Sequence, residues 1–384
     1  MNRRATATLT VLGLIVFATV LYVSIRATRD MTDFRVYLTA GQRVLHAEPL
    51  YRAADGFFVF KYLPAFAFLV SPLAAFDPAV ARAMWFGLSF ALLVIFVRGA
   101  VHAWPERRVP EARLLLFVVL IMAKDYIREL SLGQSNVLFG VLVLAALAAV
   151  QRRRPALAGA WIAGAVLVKP YGVIFIPWLA WTAGLTAVST CIAIVLGMLI
   201  APALLYGWSG NSDLLIGWYR TVTETTAPTL LIPENIGFAS MWAKWIGVGS
   251  VASVLALGSA AVTFAIVVAN AIRRKRPMVA SATYIDAAAL LLLVPLISPQ
   301  GWDYVLLLAT PAVVCVLDGW PDFPLATKVG VAIALAFVAL PSRDLLGLAL
   351  HRRLMATAVI SIVAVALWAV LMIVARRDSA LASA

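Results

Sequence analysis

The chain has 384 residues, of which 63% are hydrophobic and only 13% are charged, whereas a soluble domain carries about 25% charged residues. So few polar groups cannot cover the surface of a soluble fold, and this composition predicts an all-α integral membrane protein. The formal net charge of +13 is spread over short basic clusters beside apolar runs, which indicates cytoplasmic loops and lipid headgroup contacts and argues against a nucleic-acid partner.

The first apolar run covers 9–26 and follows Arg3 and Arg4, and no small-residue cleavage motif comes after it. We therefore expect an uncleaved first helix instead of a removed signal peptide. Lys169-Pro170 interrupts a later apolar stretch, which predicts a kinked element or a hairpin of short helices. The further apolar runs are 80–100, 113–127, 136–150, 157–168, 171–184, 186–205, 248–270, 279–297, 304–318, 326–340 and 356–375.

The short basic clusters predict which loops are cytoplasmic. These clusters are Arg3-Arg4, Arg107-Arg108, Arg152-Arg153-Arg154, Arg273 to Arg276 and Arg376-Arg377. They share one side of the membrane only if the segment Phe57 to Phe76 lies at the interface without crossing. We expect a single transmembrane domain over 1–384, with about twelve helices and both termini inside. A first outer loop over 27–78 with interfacial helices, and outer loops over 206–247 and 341–355, complete this topology.

Asp33 lies in the first outer loop, among cations, just outside a predicted helix. A carboxylate in such a place can act as a general base on a sugar hydroxyl. It can equally be a helix N-cap or form a salt bridge to Arg29 or Arg35. Asp30 and Asp55 are the other carboxylates that compete for the role of base.

Lys169 lies between two apolar runs. An ionisable group at such depth is costly and is a functional-site hypothesis by default. One role open to it is to hold the phosphate of a lipid-linked donor. The structural alternative is a lysine that extends from a helix end to the interface.

Several amides, carboxylates and aromatic residues are placed at predicted helix ends on the outer side. They can cap helices or anchor the chain at the interface, or they can hydrogen-bond and stack against a sugar. These residues are Gln134, Asn136, Glu234, Asn235, Trp302, Asp303 and Tyr304.

Other function classes lack their motifs. His46, His102 and His351 lie far apart, so no metal-ligand set of histidine, cysteine and carboxylate can be written, and we expect no metal or other cofactor. The sequence has no Walker loop, dinucleotide fingerprint or Gly-x-Ser-x-Gly elbow, which argues against ATP-driven transport and serine hydrolysis.

A family resemblance is carried by a series of short motifs over residues 30–305. They are Asp33, Pro49-Leu50-Tyr51, Lys61-Tyr62-Leu63-Pro64, Gly133-Gln134-Ser135-Asn136, Arg152-Arg153-Arg154 with Ala158-Gly159, Val168-Lys169-Pro170 and Ser298-Pro299-Gln300-Gly301-Trp302-Asp303. In this order the chain resembles the polyprenol-phosphate-mannose-dependent mannosyltransferases of glycosyltransferase family 87, which have the multi-helix GT-C fold.

The resemblance implies an inverting transfer of mannose from a polyprenyl-phosphate carrier to a lipid or glycan acceptor, on the outer face of the cytoplasmic membrane. It implies that Asp33 is the general base, and that Lys61, Lys169 and Arg29 hold the donor phosphate. Gln134, Asn136, Glu234, Asn235, Trp302, Asp303 and Tyr304 would then address the sugar and the acceptor. The string Glu234-Asn235-Ile236-Gly237-Phe238, and Tyr304 in place of a histidine, depart from the family pattern.

These departures leave the acceptor and the donor sugar open. A polyprenyl-phosphate arabinofuranose donor is the nearest enzymatic alternative. A transporter or flippase for a lipid-linked glycan is a second class, which predicts matching broken helices in two related halves. A third is a non-catalytic assembly subunit.

Overall fold

The computed structural model describes residues 31–105, 107–273 and 280–381. The predicted first helix over 9–26, and Arg29 and Asp30, lie outside these residues. Within the described ranges the chain is helical and has no β-strand, only an isolated antiparallel bridge between Asn235 and Trp302. The helices are α1 (Thr32–Leu45), α2 (Pro64–Val70), α3 (Pro78–Ala103), α4 (Glu111–Leu132), α5 (Asn136–Gln151), α6 (Pro155–Val168), α7 (Phe175–Ala183), α8 (Leu185–Ile200), α9 (Ala203–Thr226), α10 (Phe238–Ile246), α11 (Ser250–Arg273), α12 (Ala280–Ile297), α13 (Thr310–Asp318), α14 (Leu325–Ala339), α15 (Arg343–Ala356) and α16 (Val359–Leu381).

Three described helices are long and apolar enough to cross a membrane, namely α3, α11 and α12. Three sharply bent pairs, α4 with α5, α8 with α9, and α15 with α16, raise the number of spans to six if each pair is one span. Length and composition thus identify this chain as a membrane protein. The expected number of about twelve transmembrane helices remains a prediction.

Helix α12 is buried along most of its length, and its residues Ser281 to Leu296 are all buried. It packs against α11, α13 and α16. Because a helix that is buried on every side must be apolar on every side, its run of alanine and leucine suits this central position.

The chain reverses between α4 and α5 at Gly133, which has a φ of 69°. Its backbone N–H caps the end of α4 on the carbonyls of Glu129 and Leu130. Since L-residues with a side chain rarely adopt this left-handed conformation, glycine ends the helix here and sets the 115° bend to α5. The bend brings the end of α4 and the start of α5 to one place.

The chain also breaks at Lys169, as the sequence predicts. Helix α6 ends at Val168, a short 3₁₀ segment covers Pro170–Ile174, and α7 begins at Phe175. Pro170 has no backbone N–H and restricts the residue before it to an extended conformation, and Lys169 has a φ of −144° and a ψ of 117°. The lysine is therefore placed outside both helices.

The described part of the chain before α3, residues 31–77, contains short helices and no membrane-length helix. Helix α2 and a 3₁₀ segment (Ser71–Ala75) pack against α1, and Asp55 of another 3₁₀ segment (Ala53–Phe58) forms an ion pair with Arg43 of α1. Gly41 of α1 approaches the backbone of Ser71 so closely that a Cβ at Gly41 would lie 3.1 Å from the Ser71 Cα. This packing fixes α1, and with it Asp33, on the helices of the membrane domain.

Two expected outer loops are helical instead. The range 206–247 contains most of α9 and all of α10, and 341–355 contains all of α15 except its last residue. Helix α9 leaves α8 at 89° and exposes Trp208 and Tyr219, while only Asn211 and Leu214 are buried. Mixed polar and aromatic residues of this kind suit a helix that lies along an interface; glycines and polar residues lower its hydropathy below that of a span.

Candidate active site

A cavity of about 400 Å³ opens where α1, the end of α4, the Lys169 break and the corner before Asp303 meet. Four basic and two acidic side chains line it, so its charge is positive overall. These are Lys61, Arg128, Lys169 and Arg343, with Asp33 and Glu234. Clefts with charge of one sign attract ligands of the opposite sign. The cavity therefore suits an anionic ligand.

Asp33 reaches the cavity from the first turn of α1. An acidic residue in the first turn interacts favourably with the helix dipole. Gln134 hydrogen-bonds its carboxylate, and the charges of Lys169 and Lys61 act on it. Burial nevertheless raises the pKa of Asp33 above its ordinary value, because desolvation outweighs these favourable contacts. A carboxylate of raised pKa is a stronger base than one in water.

Three tyrosines orient the Gln134 amide. Its Oε1 accepts hydrogen bonds from the hydroxyls of Tyr37 at 3.0 Å and Tyr62 at 3.2 Å. Its Nε2 donates to the hydroxyl of Tyr304 at 3.1 Å. Because the hydroxyl donors occupy the amide oxygen, the NH₂ group is the side that is available to the carboxylate of Asp33. Gln134 is thus fixed as a donor to Asp33.

Lys169 and Lys61 are two of the cations near Asp33. The Lys169 Nζ lies 5.4 Å from the centre of the Tyr62 ring. The Lys61 Nζ donates to the Gln300 Oε1 at 3.1 Å. Burial lowers the pKa of Lys61, and the nearby Asp33 carboxylate opposes this shift. The sequence-predicted base and two predicted phosphate ligands therefore lie in one cavity.

Two further cations in the cavity are absent from the sequence prediction. Arg128 lies near the end of α4, 6.0 Å from the centre of the Tyr304 ring, and its buried Nε has no hydrogen-bond partner in the part of the chain that the structure describes. Arg343 begins α15 and forms an ion pair with Glu234. Burial acts to raise the pKa of Glu234, but the hydrogen bond and charge of Arg343, a backbone hydrogen bond and the charge of His351 together outweigh it, and the pKa is lowered. Glu234 is therefore held as a charged carboxylate at the cavity wall.

Asn136 does not line the cavity, in contrast to the prediction. It is fully buried, and its Nδ2 donates to the Glu129 Oε2 at 2.7 Å. The other carboxylate oxygen of Glu129 accepts the backbone N–H of Val137 at 2.9 Å. The pair therefore closes the N-terminus of α5, where orphan N–H groups need acceptors. The charge of the buried Glu129 also acts on Lys169.

Asn235 and Asp303 likewise do not line the cavity. The fully buried Asn235 donates to the Pro299 carbonyl at 2.9 Å, and its Oδ1 accepts the Gly237 N–H at 3.0 Å. The Asp303 Oδ1 accepts the backbone N–H of Tyr304 at 2.9 Å. Their bonds are local because polar groups at a buried turn must find partners within it. Both residues shape the corner that presents Trp302 and Tyr304 to the cavity.

Gly301 allows this corner to close tightly. A Cβ at position 301 would lie 1.9 Å from the carbonyl oxygen of Pro295, which is inside van der Waals contact. The N–H of Ile236 donates to the Gly301 carbonyl at 2.6 Å, which joins the corner to the segment before α10. A side chain at position 301 would push the corner away from Pro295 at the end of α12.

The site residues that the sequence predicts thus divide into three groups. Asp33, Lys61, Gln134, Lys169, Glu234, Trp302 and Tyr304 line the cavity. Asn136, Asn235 and Asp303 support its walls, and Arg29 lies outside the described residues. Among the described residues, no three histidine, cysteine, aspartate or glutamate side chains are grouped to hold a metal ion.

The family model of glycosyltransferase family 87 matches residues 60–299, which is more than half of the chain. The match includes Lys61, Gln134 and Lys169; Asp33 precedes it, and Trp302 follows it. No curated protein and no solved structure matches the chain significantly. The resemblance of the motifs to this family is confirmed, and the members of the family are membrane glycosyltransferases. The chain belongs to glycosyltransferase family 87.

Proposed function

We propose that the protein transfers a mannosyl residue from a polyprenyl-phosphate carrier to a hydroxyl of a lipid or glycan acceptor, at the outer face of the cytoplasmic membrane. One observation carries this proposal: the Asp33 carboxylate shares a cavity with Lys61, Arg128 and Lys169, whose charges act on it. A carboxylate and fixed cations are the two groups that sugar transfer from a phosphate requires.

The reaction has a simple balance of atoms and charge. The acceptor oxygen forms a bond to the anomeric carbon, and its proton passes to the Asp33 carboxylate. The bond between the anomeric carbon and the phosphate oxygen breaks, and its electron pair remains on the phosphate. The leaving group changes from a phosphodiester with one negative charge to a phosphomonoester with two. No acid is needed because this anion is stable.

The cations stabilise the second negative charge as it develops. Lys169 and Arg128 are suited to this role because each lines the cavity and neither is neutralised there by a salt bridge to a cavity carboxylate. Preorganised charges in a site shielded from water stabilise a transition state without reorganisation. Lys61, whose Nζ donates a hydrogen bond to Gln300, is the third cation available to the phosphate.

Gln134 and the aromatic side chains would position the sugar and the base. Gln134 directs its NH₂ group to Asp33, which fixes the carboxylate relative to the acceptor. Trp302 and Tyr304 offer ring faces and a hydroxyl at the cavity wall, and aromatic rings of this kind stack on sugars. Glu234, charged through Arg343, can accept hydrogen bonds from sugar hydroxyls.

Donor specificity tests this proposal. The purified protein in lipid nanodiscs would be incubated with a membrane lipid extract and one radiolabelled donor at a time: polyprenyl-phosphate mannose, polyprenyl-phosphate arabinofuranose or nucleotide-linked mannose. We expect labelled glycolipid from polyprenyl-phosphate mannose alone. Product from the pentose donor would mean that the donor sugar is arabinofuranose and not mannose. Product from the nucleotide sugar, or movement of labelled lipid across the bilayer without a new glycosidic bond, would contradict the proposal.

A further inference from the structure

A second cavity, of about 340 Å³, adjoins the first one along α1. The two share Thr32, Val36 and Phe58 as lining residues, so the second cavity begins beside Asp33. None of the basic residues that act on Asp33 lines it. The second cavity therefore lies next to the first one on a side of α1 that contains none of the cations acting on Asp33.

The walls of the second cavity contain polar groups that are held in place. Arg43, which is buried, donates through Nη1 to the Asp55 Oδ2 at 2.6 Å and through Nη2 to the Asp55 Oδ1 at 2.7 Å. The Arg43 Nη1 also donates to the Leu50 carbonyl at 3.0 Å. An ionised carboxylate has about four acceptor positions, so Asp55 keeps capacity for hydroxyl donors after it has bound Arg43.

The remaining walls add free donors and ring surface. Among the described residues, the Arg35 guanidinium makes no hydrogen bond or ion pair, and Thr39 is exposed one helical turn further along α1. Phe58 and Phe60 supply aromatic surface. A fixed carboxylate, hydroxyl and guanidinium groups, and aromatic rings are the combination that recognises a sugar by hydrogen bonds and ring contacts.

We propose that the second cavity is the acceptor-saccharide subsite of the transferase, an inference that rests on the proposed function. An inverting displacement brings the acceptor oxygen to the anomeric carbon from the side opposite the leaving phosphate. The acceptor must therefore approach Asp33 away from Lys169 and Lys61. The shared wall at Thr32 and Val36 provides that approach, and the Asp55 carboxylate would bind hydroxyls of the acceptor sugar.

Two measurements test this subsite, with n-octyl α-mannoside as the acceptor probe. The first measures initial rates of transfer from polyprenyl-phosphate mannose, with acceptor and donor varied separately. Thr39→Trp fills the second cavity from an exposed helix position, and Gln42→Trp is the matched control on the exposed part of α1 outside both cavities. We expect Thr39→Trp to raise the acceptor KM at least tenfold and the donor KM less than twofold, and Gln42→Trp to change neither.

The second measurement requires no turnover. A diazirine-bearing analogue of the octyl mannoside would be photo-crosslinked to the protein, and the labelled peptides would be mapped by mass spectrometry. Label within 35–60 that Thr39→Trp abolishes and Gln42→Trp retains supports the subsite. Label elsewhere, or an acceptor KM unchanged in Thr39→Trp, overturns it. Loss of the proposed function alone would appear differently, as label within 35–60 in a wild-type protein that transfers no mannose.

Discussion

Replacing Lys169 with methionine separates a catalytic role of this lysine from a structural one. Its ammonium group acts electrostatically on both Asp33 and the buried Glu129. Lys169→Met would therefore remove a cation from the donor site and also leave the Glu129 carboxylate without that compensating charge. Leaving a buried polar group without compensation costs about 1–3 kcal/mol of stability. Glu129 keeps its bonds from Asn136 and Val137, so we expect the lower end, about 1 kcal/mol.

The expected loss of activity in Lys169→Met differs from the loss of stability in its size and in its cause. A hydrogen bond to a charged group contributes about 1.5–3 kcal/mol, so kcat/KM for the donor should fall about 10- to 150-fold. The double variant Glu129→Gln/Lys169→Met removes the unpaired charge while keeping the shape of the Glu129 side chain. We expect it to recover most of the stability and none of the activity, because the donor phosphate still lacks its cation.

Thermal unfolding in detergent and steady-state transfer from polyprenyl-phosphate mannose would measure the two effects. Lys328→Met is the matched control, since this lysine makes an exposed hydrogen bond to the Pro321 carbonyl and lies outside the cavity. It should change neither quantity. Wild-type kcat/KM in either Lys169 variant would refute a role of this lysine in binding the donor phosphate.

Three further outcomes are expected. Gln134→Leu removes a donor to Asp33 and should lower kcat about tenfold; unchanged kcat would show that the amide does not position the base. The rate of transfer should fall at acid pH as Asp33 is protonated, and because its pKa is raised this fall should occur above the ordinary aspartate range. The rate should fall again at alkaline pH as Lys61 loses its proton, below the ordinary lysine range because its pKa is lowered. A rate that does not change with pH across both ranges would contradict these roles. Gly301→Ala should destabilise the fold by about 1–3 kcal/mol through overpacking, seen as a lower Tm, whereas Gly258→Ala, with open space around it, should not.

The helices that span the membrane are largely predictable because apolar runs are their direct signal. The runs 80–100 and 279–297 correspond to α3 and α12, and the break at Lys169 follows from the proline beside it. The amphipathic helix α9 is missed because its apolar residues alternate with glycines and polar groups. A hydropathy pattern reports burial in lipid, and an interfacial helix is only partly in lipid.

The site residues that the sequence predicts best are charged residues in surroundings where a charge is unusual. Asp33 among cations and Lys169 between apolar runs are conspicuous for this reason, and the cavity contains both. Arg128 was missed because it follows an apolar run and resembles an ordinary basic residue at a helix end. For Asn136 and Asn235 both sugar binding and capping are open from the sequence, because sequence cannot tell an amide that faces a cavity from one that satisfies a buried backbone turn, and both amides bond locally.

Single-turnover transfer by Asp33→Asn tests the role of the base most directly. The amide keeps the size of the carboxylate but cannot take the acceptor proton, and it removes a negative charge from the donor site. We expect the rate of mannose transfer from polyprenyl-phosphate mannose to fall about 10²- to 10⁴-fold, with donor binding as tight as in the wild type or tighter. A folded Asp33→Asn protein that transfers mannose at a rate near that of the wild type would contradict the role of Asp33 as the base.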